Sequence, residues 1–316
     1  MLSIAMNGTR HLVLDRRKFL GAAAGLVAAG ILPKNVWALA APYSFKQGAY
    51  DVTVVSDGTL LLPLSLLPDA SPEELKKLLG SMMQGDKAQF EASPLLFKSG
   101  SDMILMDTGS GNGFQPTAGK LAESLKAAGT DASAITKVIF THAHPDHCWG
   151  TLGADGKPLY PNATFHIAQA EWDFWTAPDL AGKMPKEMQG MVTNTQAQLA
   201  GIKDKINFFK PEAEVLPGIN VLDTKGHTPG HVSFELAGGD GLIITGDAIT
   251  NPLVFFPHPE WKFGFDADHE TAIANRKKLL DMASAGKKKL LGYHWPYPGL
   301  GTAEKKDSAY IYVPAA

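Results

Sequence analysis

The chain has 316 residues, enough for one large mixed domain or two small ones, and 45% hydrophobic against 19% charged residues is a globular balance rather than a disordered one. A formal charge of −3 leaves no basic footprint for nucleic acid. A single cysteine, Cys148, excludes an intrachain disulfide framework and any cysteine-rich zinc module, so a metal site here must be built from the ten histidines and from carboxylates.

The N-terminus reads as an address. Arg16-Arg17-Lys18-Phe19-Leu20 leads into an apolar run, 19–32, followed by the small-x-small pattern Ala38-Leu39-Ala40. The run is too short to span a bilayer. The paired arginines resemble a twin-arginine export signal. The expectation is a signal segment over 1–40, a mature domain over 41–316, a periplasmic or secreted location and no stable membrane anchor. Loss of 1–40 removes five basic side chains and one acidic one, leaving a more acidic chain with little attraction to anionic surfaces.

In chain order, the patterns predict strands over 50–55 and 60–62 around the turn Ser56-Asp57-Gly58, then a helix over 72–79 with Ser71 as its N-cap and Pro72 at its first position. A hairpin follows over 94–98 and 103–106, then a helix over 117–128 ending at Gly129. A short apolar strand over 137–140 runs into Thr141-His142. Further on come a strand over 164–167, helices over 169–175 and 186–199, strands over 219–222, 232–236 and 242–245, a helix over 269–282, and a last strand over 289–291 that ends at Tyr293-His294. Strands then helices, twice over, predict two similar halves packed sheet on sheet with helices outside, in one domain. Residues 177–189 read as a mobile loop or cap.

The densest chemical signal is Thr141-His142-Ala143-His144-Pro145-Asp146-His147 at a strand end. Three imidazoles and a carboxylate within six residues can be aimed at one point and suit zinc, iron or manganese. His-x-His-x-Asp-His resembles the signature of the metallo-β-lactamase superfamily. Four other segments resemble its remaining motifs, in the family's order: Asp57 in Val55-Ser56-Asp57-Gly58, Gly226-His227-Thr228-Pro229-Gly230-His231, Thr245-Gly246-Asp247, and Gly292-Tyr293-His294. The resemblance implies an α/β (α+β) fold, the αββα sandwich. It also implies two divalent metal ions, zinc first, with manganese, iron or cobalt as alternatives. His142, His144 and His227 would hold one ion, Asp146, His147 and His294 the other, and Asp247 would bridge them. Asp57 and His231 would support the site from behind, with His231 orienting Asp57 or a ligand.

Such a site implies a hydrolase in which a bridging hydroxide attacks an ester, lactone or organophosphate triester, with Asp146 as a candidate proton shuttle. Cys148, beside His147, reads as a packing residue. The segments around 121–129, 161–163, 171–175 and 218–231 resemble the methyl parathion hydrolase branch, although 177–198 departs from its pattern and should shape the pocket mouth. Trp175, Phe255 and Phe256 are the candidate pocket aromatics for a small-molecule substrate. The branch contains homodimers, and 60–67 reads as an interface strip, a flap over the site or a buried hairpin arm. The rival readings are a β-lactam hydrolase, a single-iron enzyme of the persulfide dioxygenase type, and a non-catalytic member of the fold. His166, His258 and His269 carry no motif and read as ordinary.

Overall fold

A computed structural model of the chain describes residues 39–315, together with the backbone of an N-terminal hairpin in which Leu2–Met6 pairs antiparallel with Arg10–Leu14. The arginine pair and apolar run of the expected export signal lie outside the described residues. Among the described residues no helix is long and apolar enough to cross a membrane.

Two seven-stranded sheets form the frame. The first has the order Ile206–Phe209, Thr164–Ala168, Lys137–Ile139, Asp102–Met106, Leu95–Ser99, Tyr50–Val54, Tyr43–Gln47. The second has the order Glu214–Leu216, Ile219–Asp223, Val232–Leu236, Leu242–Ile244, Lys289–Leu291, Leu300–Lys306, Ala309–Pro314. Between them lies a core in which Val52, Phe97, Ile104 and Ile139 of the first sheet pack with Val221, Phe234, Leu242 and Leu291 of the second. The outer face of the first sheet is covered by helices Leu121–Ala127, Gln169–Trp175 and Lys186–Ala200, through Leu125, Phe174, Val192 and Leu199. The outer face of the second is covered by helix His269–Gly286, through Leu279, Leu280 and Ala283. This is the expected sandwich with helices on both outer faces.

The central strands explain why the sequence reads as it does. Lys137–Ile139 is parallel to both its neighbours, and Leu242–Ile244 is parallel to Lys289–Leu291. Parallel strands inside a four-layer stack are covered on both sides, so they are continuous apolar runs rather than alternating ones. Leu242, Ile243 and Ile244 are accordingly all buried. Each of these strands ends at a polar group: Thr141-His142, Asp247 and His294 follow their strands within a few residues. The carboxyl ends of parallel strands thus gather the chemistry at one edge of the sandwich.

The expected helix over 72–79 is present with a full capping box: Glu74 N donates to Ser71 Oγ and the Glu74 carboxylate accepts from Ser71 N, an arrangement worth about 1 kcal/mol. Three expectations are corrected. The strand over 60–62 is part of Gly58–Pro63 and pairs not with the strand before it but with Lys87–Ala92 in a separate three-stranded sheet, which spans residues the sequence pattern did not mark as strand. The helix over 117–128 begins only at Leu121, because the backbone N–H groups of Gly119 and Leu121 turn to the Asp57 carboxylate instead. Residues 177–189 are not a loop: they hold helix Leu180–Lys183 and the start of Lys186–Ala200, with Leu180, Met184 and Met188 buried against the first sheet's helical layer.

Candidate metal centre

Seven side chains from three strand ends and one turn converge. His142 Nε2 lies 3.0 Å from His144 Nδ1, which lies 2.9 Å from His227 Nε2. Asp247 reaches both parts of the cluster, Oδ2 at 3.4 Å from His227 Nε2 and 3.3 Å from His294 Nε2, Oδ1 at 3.3 Å from His147 Nε2. Asp146 Oδ2 lies 3.3 Å from His147 Nε2 and 3.2 Å from His294 Nε2. The ligand atoms form three compact sets, His142/His144/His227, His142/His147/Asp247 and Asp146/His147/His294.

The donor set fits divalent metal. His147 Nε2 and Asp247 Oδ1 are buried and have no hydrogen-bond partner in the protein, a costly state for polar atoms unless an ion meets them. The opposite ring nitrogens of four of the five histidines are committed. His147 Nδ1 donates to Asp107 Oδ2 at 2.8 Å, His227 Nδ1 to Asp266 Oδ1 at 3.0 Å, and His294 Nδ1 to Glu91 O at 2.7 Å. Thr141 Oγ1 gives its single proton to Asp107 Oδ2 at 2.8 Å, so it accepts from His142 Nδ1 at 3.1 Å. Each ring is thereby held in the tautomer that turns the Nε2 lone pair inward. Only His144 presents Nδ1 to the cluster.

The electrostatics divide the cluster. Burial, reinforced by neighbouring imidazoles, holds His142 and His144 well below the ordinary histidine range. Burial acts the same way on His147 and His294, but the carboxylates beside them outweigh it, lifting His147 well up and His294 to about 10. In return, and against burial, His147 and His294 hold the Asp146 and Asp247 carboxyls well down. The Asp146/His147/His294 set is therefore the more charged, with a carboxylate of its own where His142/His144/His227 has only imidazoles.

The residues expected behind the cluster are there, in different roles. Asp57 is fully buried and accepts from Ser110 N, Gly119 N and Leu121 N at 2.8 to 3.2 Å, stapling the loop that follows Thr108. Thr108 N in turn donates to His147 O at 2.7 Å. His231 does not touch Asp57. Its Nε2 accepts from Asp247 N at 2.9 Å and its Nδ1 bonds Thr224 Oγ1, so it fixes the shared carboxylate's backbone. Burial holds His231 neutral, its pKa down at about 3.

Three supporting carboxylates escaped the sequence reading. Asp107 sits at φ +61, a left-handed conformation that aspartate tolerates better than most residues. It follows the apolar strand Asp102–Met106 as His142 follows its own strand, and that parallel was the available signal. Glu171 is buried without a cationic partner. Oε1 accepts from Ala143 N at 2.8 Å and Trp175 Nε1 at 2.7 Å, and Oε2 from Thr228 Oγ1 at 2.6 Å and Gly230 N at 3.0 Å. It therefore ties the His142–His147 segment to the turn that carries His227. Gly230 has to be glycine, because a Cβ there would lie 2.1 Å from Glu171 N. The third is Asp266, behind His227.

A cleft opens onto the cluster. Its floor is His144, Asp146, His227, Asp247 and His294, and its walls include Leu60, Leu62, Phe114, Met191, Phe263 and Phe265. The expected pocket aromatics are corrected here. Trp175 is buried behind His144, 5.7 Å between ring centroids, and is anchored on Glu171. Phe255 packs beneath Arg276 and Phe256 against Trp295 and Tyr312. All three are core, and none lines the cleft. Of the readings for 60–67, the buried hairpin arm fits: Gly58–Pro63 pairs with Lys87–Ala92, and Leu60, Leu62, Leu66 and Leu67 are all buried, with Leu60 and Leu62 also reaching the cleft wall. Met191 belongs to the region expected to shape the mouth. Cys148 is buried, its Sγ donating to Ala143 O at 3.3 Å, and burial pushes its thiol up, away from nucleophilic use.

Comparison with known proteins agrees with this geometry. An N-acyl homoserine lactonase from Bacillus sp. is 27% identical over 165 residues, 52% of this chain and 57% of that protein, so the match spans little more than half of the relative's length. The solved structure of AidC, a dizinc quorum-quenching lactonase in complex with the product N-hexanoyl-L-homoserine, is similar with a TM-score of 0.81 at 30% identity, covering 88% of this chain and 98% of that one. The hydrolase AbOPH of the β-lactamase superfamily is similar with a TM-score of 0.81 at 29% identity, covering 89% and 99%. The sequence profile of the metallo-β-lactamase superfamily matches residues 91–294. That stretch begins at the carbonyl that anchors His294 and ends on His294 itself, taking in every donor of the cluster, and the chain belongs to the metallo-β-lactamase superfamily.

Proposed function

We propose that this chain is a metal-dependent hydrolase that opens lactone rings, with N-acyl homoserine lactones as its substrate class and zinc as its metal. The observation that carries the reading is a juxtaposition: two donor sets sharing Asp247 form the floor of a cleft whose walls are apolar. A substrate with one polar reacting end and one apolar tail matches that division. The product held by AidC has the same division, and the similarity to AidC runs over 88% of this chain.

When bound, two divalent ions would supply Lewis acidity, drawing the pKa of a water toward neutrality and steadying the charge on the attacked carbonyl oxygen. His142, His144 and His227 would hold one ion, Asp146, His147 and His294 the other, with Asp247 shared. The hydrogen bonds at the far ring nitrogens fix these donors in advance, so little reorganisation is left for the reaction. Asp146 lines the cleft as well as the second set. As a carboxylate bordering both, it would take a proton from the attacking water and return it to the departing ring oxygen. Leu60, Leu62, Phe114, Met191, Phe263 and Phe265 would take the acyl chain and exclude water. The first 40 residues would direct export by the twin-arginine route, and N-terminal sequencing of the exported protein should then begin near Ala41.

The test is a substrate panel on the purified protein: N-hexanoyl-homoserine lactone, an aromatic lactone, an aryl ester, a phosphotriester and a β-lactam. Turnover fastest on the acyl homoserine lactone, and abolished by a chelator, is the expected result. A phosphotriester or β-lactam cleaved faster than any lactone would replace the substrate class proposed here.

A further inference from the structure

Behind the first donor set a single side chain ties three parts of the site together. Arg276, on helix His269–Gly286, is fully buried. Its Nη2 donates to Asp266 Oδ2 at 3.1 Å, its Nε to Ala248 O at 3.1 Å, and its Nη1 to Pro259 O at 3.2 Å and Trp261 O at 2.7 Å. Its flat face lies 4.0 Å above the Phe255 ring. A buried charge is tolerated only when it is paired and its donors are met, and here one carboxylate and three carbonyls meet them.

The acceptors are not scattered. Asp266 uses its other oxygen to hold His227 Nδ1 at 3.0 Å. Pro259 and Trp261 immediately precede Phe263 and Phe265, the aromatic wall of the cleft. The Phe263 ring lies nearly parallel to that of His227, 6.2 Å between centroids. Ala248 follows the shared Asp247, but Asp247 has its own anchor in His231.

We propose that Arg276 is a positioning residue that holds His227 and the aromatic wall in one fixed relation, so that metal affinity at the His142/His144/His227 set and binding in the cleft depend on the same guanidinium. The inference rests on reading the donor sets as two metal sites and not on the identity of the lactone. Arg276→Lys keeps a positive charge beside Asp266, but a single ammonium cannot fork to four acceptors. Because His231 continues to hold Asp247, the Asp146/His147/His294 set should be spared.

The experiment is chelator competition on the full-length protein reconstituted with cobalt(II), followed by visible absorption, with thermal unfolding as the check on folding. In Arg276→Lys one of the two ions should be released at about tenfold lower chelator concentration, as expected for loss of a partner behind a ligand. Its absorption band should change while the other ion behaves as in the wild type. At saturating metal, KM for the best substrate of the panel should rise several-fold. Should Arg276→Lys not fold, the isosteric Asp266→Asn carries the same metal test. A folded variant with wild-type affinity and spectrum at both sites overturns the proposal, as does equal weakening of both ions, which marks a general loosening of the fold. An unchanged KM overturns the link to the wall. A wild-type chain that fails to take up two ions overturns the metal reading itself, and that failure is separate because it occurs before any substitution is made.

Discussion

The floor and the walls of the cleft are built on different principles. The donors of the floor sit at strand ends or tight turns, and five of the seven are gripped from behind: His142 by Thr141, His147 by Asp107, His227 by Asp266, His294 by Glu91 O, Asp247 by His231. The walls come from elements outside the two main sheets. Leu60 and Leu62 lie on the small sheet, Phe114 on a loop, Met191 on the helical layer, and Phe263 and Phe265 on the segment before helix His269–Gly286. The floor is determined by directional bonds with few alternatives, whereas the walls are determined by shape, which many apolar residues can supply. Substrate range should therefore be open to change in the walls while the chemistry of the floor stays fixed.

Substitutions can break that contrast in order of expected effect. Asp247→Ala removes the one carboxylate common to both donor sets, with several kcal/mol of transition-state stabilisation at stake, so hydrolysis should fall about 10³-fold or more. Metal analysis of the same protein should show loss of bound ion. Glu171→Gln comes next and acts on stability. An amide has one acceptor oxygen where the carboxylate has two, so either Ala143 N and Trp175 Nε1 or Thr228 Oγ1 and Gly230 N would face an amino group. Stranding such buried donors should cost about 2–4 kcal/mol, read from denaturant unfolding. Equal stability would mean that the two motif segments are held together by something other than this staple.

In the wall, Phe265→Ala should raise KM about tenfold and change kcat less, because it removes apolar contact made equally in the ground and transition states. A fall in kcat with KM unchanged would place Phe265 in the chemistry and blur the division between floor and wall. The smallest effect lies outside both regions. Burial, helped by Lys137, lowers His166 to about 4 from an ordinary 6.5. The unfolded chain binds the extra proton between those values, so this contribution to stability is full above pH 6.5 and is lost as pH falls toward 4. His166→Gln should flatten that part of the pH profile in urea unfolding between pH 4.5 and 7 and leave hydrolysis unchanged.

The same contrast explains what was legible in the sequence. The donors stand in short segments where chemistry fixes both residue type and spacing, so His142, His144, Asp146, His147, His227, Asp247 and His294 could be proposed together, and the structure brings them together. The central strands were legible because parallel, doubly covered strands are unbroken apolar runs. Trp175, Phe255 and Phe256 misled because an aromatic residue near a motif is equally suited to the core, where all three lie. Phe263 and Phe265 have no motif, and their place in the wall depends on Arg276 holding the preceding carbonyls from a helix later in the chain. Asp107, Glu171 and Asp266 reach the motif segments across 28 to 57 residues of sequence, a distance at which local spacing carries no information. The pairing of Gly58–Pro63 with Lys87–Ala92 was hidden for the same reason.

The activity proposed for this site depends on a floor that holds two ions at once and uses them for hydrolysis. It is tested most directly by zinc titration of the metal-free protein, with bound metal and ring opening of N-hexanoyl-homoserine lactone followed in the same sample. Two zinc ions per chain, with activity appearing as the second site fills and vanishing on chelation, is the predicted result. One tightly held iron per chain, with zinc giving no hydrolysis at any occupancy, would contradict it and leave the fold alone standing.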